Sequence, residues 1–358
     1  MNKRILVAMA VAVLALGATA YGSTAKPTAH ASAGVTINGA GATFAAPIYQ
    51  QIGSELRSKG VTINYQSIGS GAGVAQFTAG TVDFAGSDPP LTNAEMAQAA
   101  QKGGPVSHIP VAFGAITVSY NLPIKTGLKL DGATIANIYL GRIKKWNDRA
   151  IAKQNHGLKL PNTTITVVHR SDSSGTTKGF TQFLANYSSA WKRGPGVNKD
   201  IKWPTGTGAK GNEGVAAAVK QTRGAIGYVE QAYALQNHFR FASVKNRSGR
   251  YITPTLASTS AAGLGLKVPA SLRIVVIDAP NRRAYPITSQ TFVVLHRDLC
   301  KGGLNAAKAQ GMVRFLTYTL GSGQNTIRRL SYAPLPTGIR TKSQGAVKKL
   351  NCFGKPVR

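Results

Sequence analysis

The run Arg170-Ser171-Asp172-Ser173-Ser174-Gly175-Thr176 gathers an arginine, an acid, hydroxyls and a glycine, residue types that hold an oxyanion rather than break a bond. A guanidinium offers a planar fork of donors matched to two oxygens of a carboxylate, sulfate or phosphate, and Asp172 is near enough to hold that fork in place. The apolar residues that follow, Phe180 and Phe183, recur at helical spacing, so a helix begins near Ser174. Its first N–H groups have no acceptor within the helix and carry the positive end of the peptide dipoles, which makes the turn a ready anion site. A plainer reading stands beside this one, in which Ser173 or Ser174 is only an N-cap and Arg170 only a solvated charge.

Three more loops share the pattern. Gly39-Ala40-Gly41-Ala42-Thr43-Phe44, Gly69-Ser70-Gly71-Ala72-Gly73 and Gly86-Ser87-Asp88-Pro89-Pro90 each lead into helical spacing, and each pairs a polar side chain with free backbone N–H groups. A tetrahedral oxyanion has four acceptor oxygens, and loops of this kind can enclose it without water. Asp88 is the discriminating member. A carboxylate repels a bound anion unless that anion has a proton to donate; hydrogen phosphate has one near neutral pH and sulfate does not, so Asp88 favours phosphate by leaving sulfate with two acceptors face to face. The alternative is that Asp88 caps the Pro89-Pro90 turn or the helix after it.

Signals for bond-breaking chemistry are missing from the sequence. It has no G-x-S-x-G elbow, no Walker motif despite Gly206-Thr207-Gly208-Ala209-Lys210, and no His and carboxylate group at metal spacing. The six histidines are dispersed. His169 adjoins Arg170, yet at the end of an alternating strand its side chain is expected on the opposite face. No catalytic residue, metal or cofactor is expected.

The elements that must position these loops read as an open α/β sheet. Val35-Thr36-Ile37, Val61 to Tyr65 and Thr81 to Ala85 read as strands, and each feeds a small-residue loop that opens a helix, the third through a capping-box pattern from Thr92 to Glu95. In such folds ligands bind outside the C-terminal ends of the strands. Val111 to Leu122 follows as a long apolar strand, then a helix over Ala133 to Tyr139, the strand Ile165 to Val168 before the arginine loop, a helix over Glu213 to Thr222 and a strand over Gly224 to Val229. Less regular strands are expected through Arg273 to Asp278. From Ile287 the pattern resumes with a buried strand, Phe292 to Leu295, and a helix marked by Met312, Leu316 and Leu320.

With 358 residues the chain exceeds the usual size of one core, and two domains are the natural expectation. Met1-Asn2-Lys3-Arg4, the apolar run Ile5 to Leu16 and Ala18-Thr19-Ala20 have the three parts of a secretory signal peptide. Residues 1–20 are thus expected to be cleaved and 21–33 to form a disordered leader. No cysteine lies near the cleavage site, which argues against lipid anchoring, so the mature chain is expected to be periplasmic or secreted. Cys300 and Cys352, the two cysteines of the sequence, should pair as a disulfide in an oxidising compartment. There are 43 basic residues against 12 acidic ones, a net charge of +31. The basic residues are scattered and few aromatics lie among them, which speaks against a specific nucleic-acid partner. Where acids are so scarce, an aspartate inside a glycine and serine loop carries more information than usual.

Gly39 to Phe44, Gly69-Ser70, Val82-Asp83-Phe84 through Ser87-Asp88, Ile138-Tyr139-Leu140-Gly141 with Lys144-Lys145-Trp146, Arg170 to Thr176, Lys202-Trp203-Pro204, Gly224 to Glu230 and Tyr285-Pro286-Ile287-Thr288 together resemble the phosphate-binding proteins of bacterial phosphate ABC importers, the PstS family. The resemblance implies an α/β, periplasmic-binding-protein fold, with two α/β lobes joined by two crossover strands and the ligand cleft between them. Lobe 1 would comprise residues 34–108 and 287–358, and lobe 2 residues 109–286. It implies that inorganic phosphate is held by Thr43, Phe44, Ser70 and Asp88 from lobe 1 and by Arg170, Ser174, Gly175 and Thr176 from lobe 2, with Asp172 pairing with Arg170 behind the ligand. It also implies a monomer that delivers phosphate to the membrane permease of an importer. Two rival readings remain, a secreted phosphatase-like enzyme and a basic envelope-associated adhesin.

Overall fold

The structure, a computed structural model, describes residues 34–124 and 127–357. The expected signal peptide, 1–20, and leader, 21–33, lie outside the described residues.

Strand and helix alternate from the start of the described chain. β1 (Val35–Gly41), α1 (Ala46–Arg57), β2 (Val61–Ser67), α2 (Ser70–Ala79), β3 (Phe84–Ser87) and α3 (Asn93–Gly103) follow one another. β1 pairs in parallel with both β2 and β3, which brings the loops leaving all three strands to one edge. α1 opens with Pro47 in its first turn, and α3 starts from a complete capping box between Thr92 and Glu95.

β4 (Val106–Tyr120) is a 15-residue strand buried along nearly its whole length, and it serves two neighbours. Its N-terminal part pairs antiparallel with the later strand Thr288–His296, while Ile116–Tyr120 pairs antiparallel with Ala225–Glu230. Between these partners come α4 (Gly132–Tyr139), α5 (Arg149–Ala152), β5 (Thr166–Arg170), α6 (Gly175–Tyr187), β6 (Thr207–Ala209), α7 (Gly211–Gln221), β7 (Ala225–Glu230) and α8 (Gln231–Gln236). β8 (Thr288–His296) and α9 (Ala306–Leu320) come after them. The principal path of the nine-stranded sheet runs β2-β1-β3-β8-β4-β7-β5-β6, with Arg240–Phe241 added beside β4. β5 is parallel to both β6 and β7, so the arginine loop and the Gly211 turn leave the sheet on the same side.

The ladder between β4 and β8 slips between Thr291 and Phe292, where Ala112 and Pro110 are the successive partners and Val111 is skipped. Proline has no N–H to give the ladder, and the Val111 carbonyl is taken by Gln324 Nε2 at 3.0 Å. The extra residue makes a bulge in β4 at Val111, opposite Thr291 and Phe292.

The main core fills both sides of β4, with Ile109, Val111, Phe113, Phe292, Val294, Phe315 and Leu316 on one stretch and Tyr139, Trp146, Phe180 and Tyr228 further along. A smaller cluster of Val168, Val215, Val219 and Val229 packs α7 onto β5 and β7. Cys300 and Cys352 form the expected disulfide across a separation of 52 residues.

Two strand expectations need correction. The third strand runs Phe84–Ser87 rather than from Thr81, and residues 273–278 form no strand. In that segment the Val276 N–H donates to the Gln290 side chain and the Asp278 N–H to Pro286 O, so the alternating apolar residues belong to an extended segment without a ladder.

All twelve acidic residues of the sequence fall within the described residues, and each accepts a hydrogen bond from the protein. Glu55, Asp83, Glu95, Asp172 and Asp278 pair with a cation. Asp131, Asp148, Glu230 and Asp298 take backbone N–H groups at helix starts and turns. Asp88, Asp200 and Glu213 take hydroxyls from Thr291, Ser173 and Tyr233.

Candidate anion-binding site

The site begins at the end of β5. The Arg170 N–H donates to Tyr228 Oη at 3.1 Å, which fixes the backbone where the strand stops. Its guanidinium gives Nε to Asp172 Oδ1 at 2.7 Å and Nη2 to Asp172 Oδ2 at 2.5 Å, a two-toothed grip that leaves the remaining N–H groups available. Nη1 lies 3.4 Å from Thr176 Oγ1. Arg170 is 3% exposed. Burial pushes the Asp172 carboxyl up, but hydrogen bonds and charge from Arg170, with the Gly211 N–H, more than reverse this and hold it below the ordinary carboxylate range. Asp172 thus pairs with Arg170 through both carboxylate oxygens.

α6 starts where expected. Ser174 is its N-cap, with Oγ accepting from the Thr177 N–H at 3.1 Å. The plainer reading of Ser174 is thus correct as far as it goes, and a hydroxyl that accepts in a cap still has its own proton to donate. Gly175 is where the loops converge. A Cβ there would stand 2.4 Å from Ser70 Oγ, 2.6 Å from Asp88 Oδ2 and 2.7 Å from Pro89 Cδ. Ser70 and Asp88, from the loops after β2 and β3, therefore sit directly on the first turn of α6, where the orphan N–H groups of Gly175 and Thr176 belong.

Ser70 opens α2 after Gly69, whose φ of +92° suits glycine. The Gly71 N–H donates to Ser173 O at 3.0 Å, a backbone bond joining the two loops. The Asp88 N–H is 3.4 Å from Ser70 Oγ. Asp88 does not cap α3, since Thr92 does. Its Oδ1 accepts from Thr291 Oγ1 at 3.0 Å, and its carbonyl accepts from Gln290 Nε2 at 2.7 Å. Asp88 is 1% exposed. Burial pushes its carboxyl up to about 7, against the pull of the Thr291 hydroxyl, the Arg170 charge and Ser70.

Thr43 and Phe44 lie in the turn between β1 and α1. Thr43 Oγ1 accepts from Asn212 Nδ2 at 2.8 Å and from the Asn212 N–H at 3.2 Å. Tyr233 Oη donates to Thr43 O at 2.7 Å and Tyr332 Oη to Phe44 O at 2.5 Å. The preceding Gly211 N–H donates to Asp172 Oδ1 at 3.0 Å. Gly211-Asn212 thus ties Thr43 to the arginine cluster. His169 points away, stacked on Trp203 with ring centroids 4.6 Å apart, as the strand alternation required.

Three contributors escaped the sequence reading. Thr291 orients Asp88, Asn212 holds Thr43, and Tyr228 anchors both Arg170 and, by a 2.6 Å hydroxyl contact, Thr177. A signal for the first was available: Thr288-Ser289-Gln290-Thr291 is a polar run inside a buried strand, and buried polar side chains need partners.

The sequence pattern of the PBP superfamily domain matches residues 26–322. The phosphate-binding protein PstS of Xylella fastidiosa (strain 9a5c) is 40% identical over 322 residues, covering 88% of this chain and 86% of that protein. PstS of Pasteurella multocida (strain Pm70) is 40% identical over 318 residues, with 87% and 90% covered. Among solved structures, the periplasmic phosphate-binding protein PfluDING bound with phosphate superposes with a TM-score of 0.72 at 23% identity, covering 89% of this chain and 97% of that one. The phosphate-binding protein from Stenotrophomonas maltophilia gives a TM-score of 0.70 at 21% identity, covering 90% and 99%. These structural likenesses establish the periplasmic-binding-protein fold.

Proposed function

We infer, because this chain belongs to the PstS family of phosphate-binding proteins, that its buried cluster of hydroxyls, Arg170 and Asp88 is the phosphate site. The protein captures inorganic phosphate for an ABC-type importer. Thr43, Phe44, Ser70 and Asp88 come from a lobe made of residues 34–108 and 287–358, and Arg170, Ser174, Gly175 and Thr176 from a lobe made of residues 109–286. Asp172 stands behind the ligand and keeps Arg170 aimed at it. Contacts split between two lobes make binding favour the closed state. No bond is made or broken, and no metal or cofactor takes part.

The observation that carries this reading is the contact of Gly175 with both Ser70 and Asp88. It sets a carboxylate beside an anion-attracting helix start, which is tolerable when the anion itself brings a proton. Bound hydrogen phosphate gives that proton to Asp88 and accepts from every other group. The protein works outside the cytoplasm as a monomer, receiving phosphate there and passing it to a membrane permease; among the described residues no helix is long and apolar enough to cross a membrane.

Calorimetry tests this. Phosphate should bind one-to-one and sulfate far more weakly at pH 8, and Arg170→Ala should weaken phosphate by about a hundredfold or more, as expected when one member of a buried charge pair is removed. Sulfate binding as tightly as phosphate would refute the part given to Asp88.

A further inference from the structure

A second surface has a chemistry of its own. Arg142, Lys144, Lys145, Arg149, Lys153 and Lys159 fall within one stretch between α4 and β5, and all six are exposed. The single acid of the stretch, Asp148, is half-buried, its Oδ1 accepting the Ala150 N–H at 2.8 Å as the N-cap of α5. The stretch is pinned to the body of the protein. Trp146 is fully buried, its Nε1 donates to Gly224 O at 2.9 Å and its N–H to Thr163 O at 3.0 Å, and the Ile165 N–H donates to Lys144 O at 2.8 Å. The same anchoring adds charge. Gly224 follows the exposed Arg223 and packs on Thr163 and Thr164, and Asn121 Nδ2 holds Lys220 O at 3.0 Å.

Five of the twelve carboxylates pair with cations inside the protein, and Asp148 is the one acid within this stretch. The opposite sign is abundant: among the described residues five cations form ion pairs with carboxylates, out of 43 lysines and arginines in the sequence.

We propose that the Arg142–Lys159 stretch, with Lys220 and Arg223, is a docking surface for a flexible linear polyanion whose repeating charge is phosphate. Fixed cations on a pinned backbone recruit such a chain by releasing its counterions. A nucleic acid is disfavoured, because single-strand binding draws on exposed large rings for base stacking, and of the rings in the stretch Trp146 is buried, leaving the small imidazole of His156 exposed. A lipid bilayer is disfavoured because none of the exposed large apolar side chains lies in the stretch, and because cations in excess on many elements suit a polymer that bends around the protein better than a plane that meets one face.

The test uses the secreted chain, kept saturated with inorganic phosphate so that the cleft is occupied, and long-chain inorganic polyphosphate as the probe. Binding should fall about a thousandfold or more between 50 and 200 mM salt, as when six or more phosphates are engaged. Lys144→Glu/Lys145→Glu/Lys153→Glu should lose polymer binding tenfold or more while phosphate calorimetry is unchanged. Lys144→Gln/Lys145→Gln/Lys153→Gln, which adds no repulsion, should lose an intermediate amount and serves in place of the first variant if that one does not fold. Unchanged polymer binding in the glutamine variant overturns the proposal. So does tighter binding of single-stranded or duplex DNA, or of phosphatidylglycerol vesicles, than of polyphosphate at equal phosphate concentration.

Discussion

The Thr291 hydroxyl lies 3.0 Å from Oδ1 of Asp88, beside the point where the partner strand β4 bulges at Val111. The bond fixes one carboxylate oxygen and leaves Oδ2 on the side of Gly175. Thr291 is a positioning residue that acts through Asp88. Its hydroxyl also holds the Asp88 pKa down to about 7 against a larger upward push from burial, so Thr291→Val should shift that titration upward. Calorimetric titration of phosphate and sulfate across pH 5–9 checks this. Phosphate affinity should drop by about tenfold, in line with one lost bond to a charged group, and the pH at which sulfate begins to bind should rise. A drop in affinity with an unmoved pH profile would limit Thr291 to packing.

The ionisation of Asp88 sets the direction of that profile. Above about pH 7 the carboxylate can only accept, and a proton-free anion meets repulsion; below it the protonated carboxyl can donate. Sulfate binding should therefore strengthen as pH falls through about 7, while phosphate, which has protons to give throughout the range, should change less.

Asp88→Asn removes the acceptor-only group at every pH. Sulfate should then bind at pH 8 at least about tenfold more tightly than to the unaltered protein, with the pH dependence of sulfate binding abolished. Persistence of the wild-type pH profile in this variant would assign the titration to another group.

Gly175→Ala tests the convergence of loops. The added methyl would lie 2.4 Å from Ser70 Oγ, so the first turn of α6 must back away from Ser70 and Asp88. Overpacking of this kind costs about 1–3 kcal/mol, and phosphate should bind about tenfold to a hundredfold more weakly. The unfolding temperature should fall without ligand and fall further with it, because the lost binding adds to the overpacking.

Reduction of Cys300–Cys352 frees a loop of 52 residues, which in the chain-entropy picture costs about 4 kcal/mol. The melting temperature should fall by about 10 °C, while one-to-one phosphate binding at 25 °C persists, since the bonds that position the phosphate loops do not involve this pair. Asp298, which accepts from the Phe353 and Gly354 N–H groups, should keep the Phe353-Gly354 turn in place after reduction.

Most of the loops that gather around Arg170 and Asp88 were legible in the sequence because the local rules there all point one way. Strand alternation ends at glycine and hydroxyl residues, and helical spacing follows, as at Ser70 and Ser174. What stayed hidden depends on distant pairing. Thr291 meets Asp88 across 203 positions and Asn212 meets Thr43 across 169, and no local pattern encodes such distances. The misread strand at 273–278 shows the converse. Its apolar alternation is genuine, with Ile274 and Val276 buried around an exposed Val275, but side-chain and loop partners took its backbone, and Asp278 turns to a φ of +55° that no strand continues through.

β4 belongs to both sets of site-bearing strands, through β8 along its first part and β7 along its last five residues. Between Ala115 and Ile116, where its partner changes, β4 runs on without a break. A ribbon shared in this way yields by twisting rather than by fraying, so the buried amides at Thr117 and Val118, laddered to β7, should exchange slowly with solvent deuterium both with phosphate and without it.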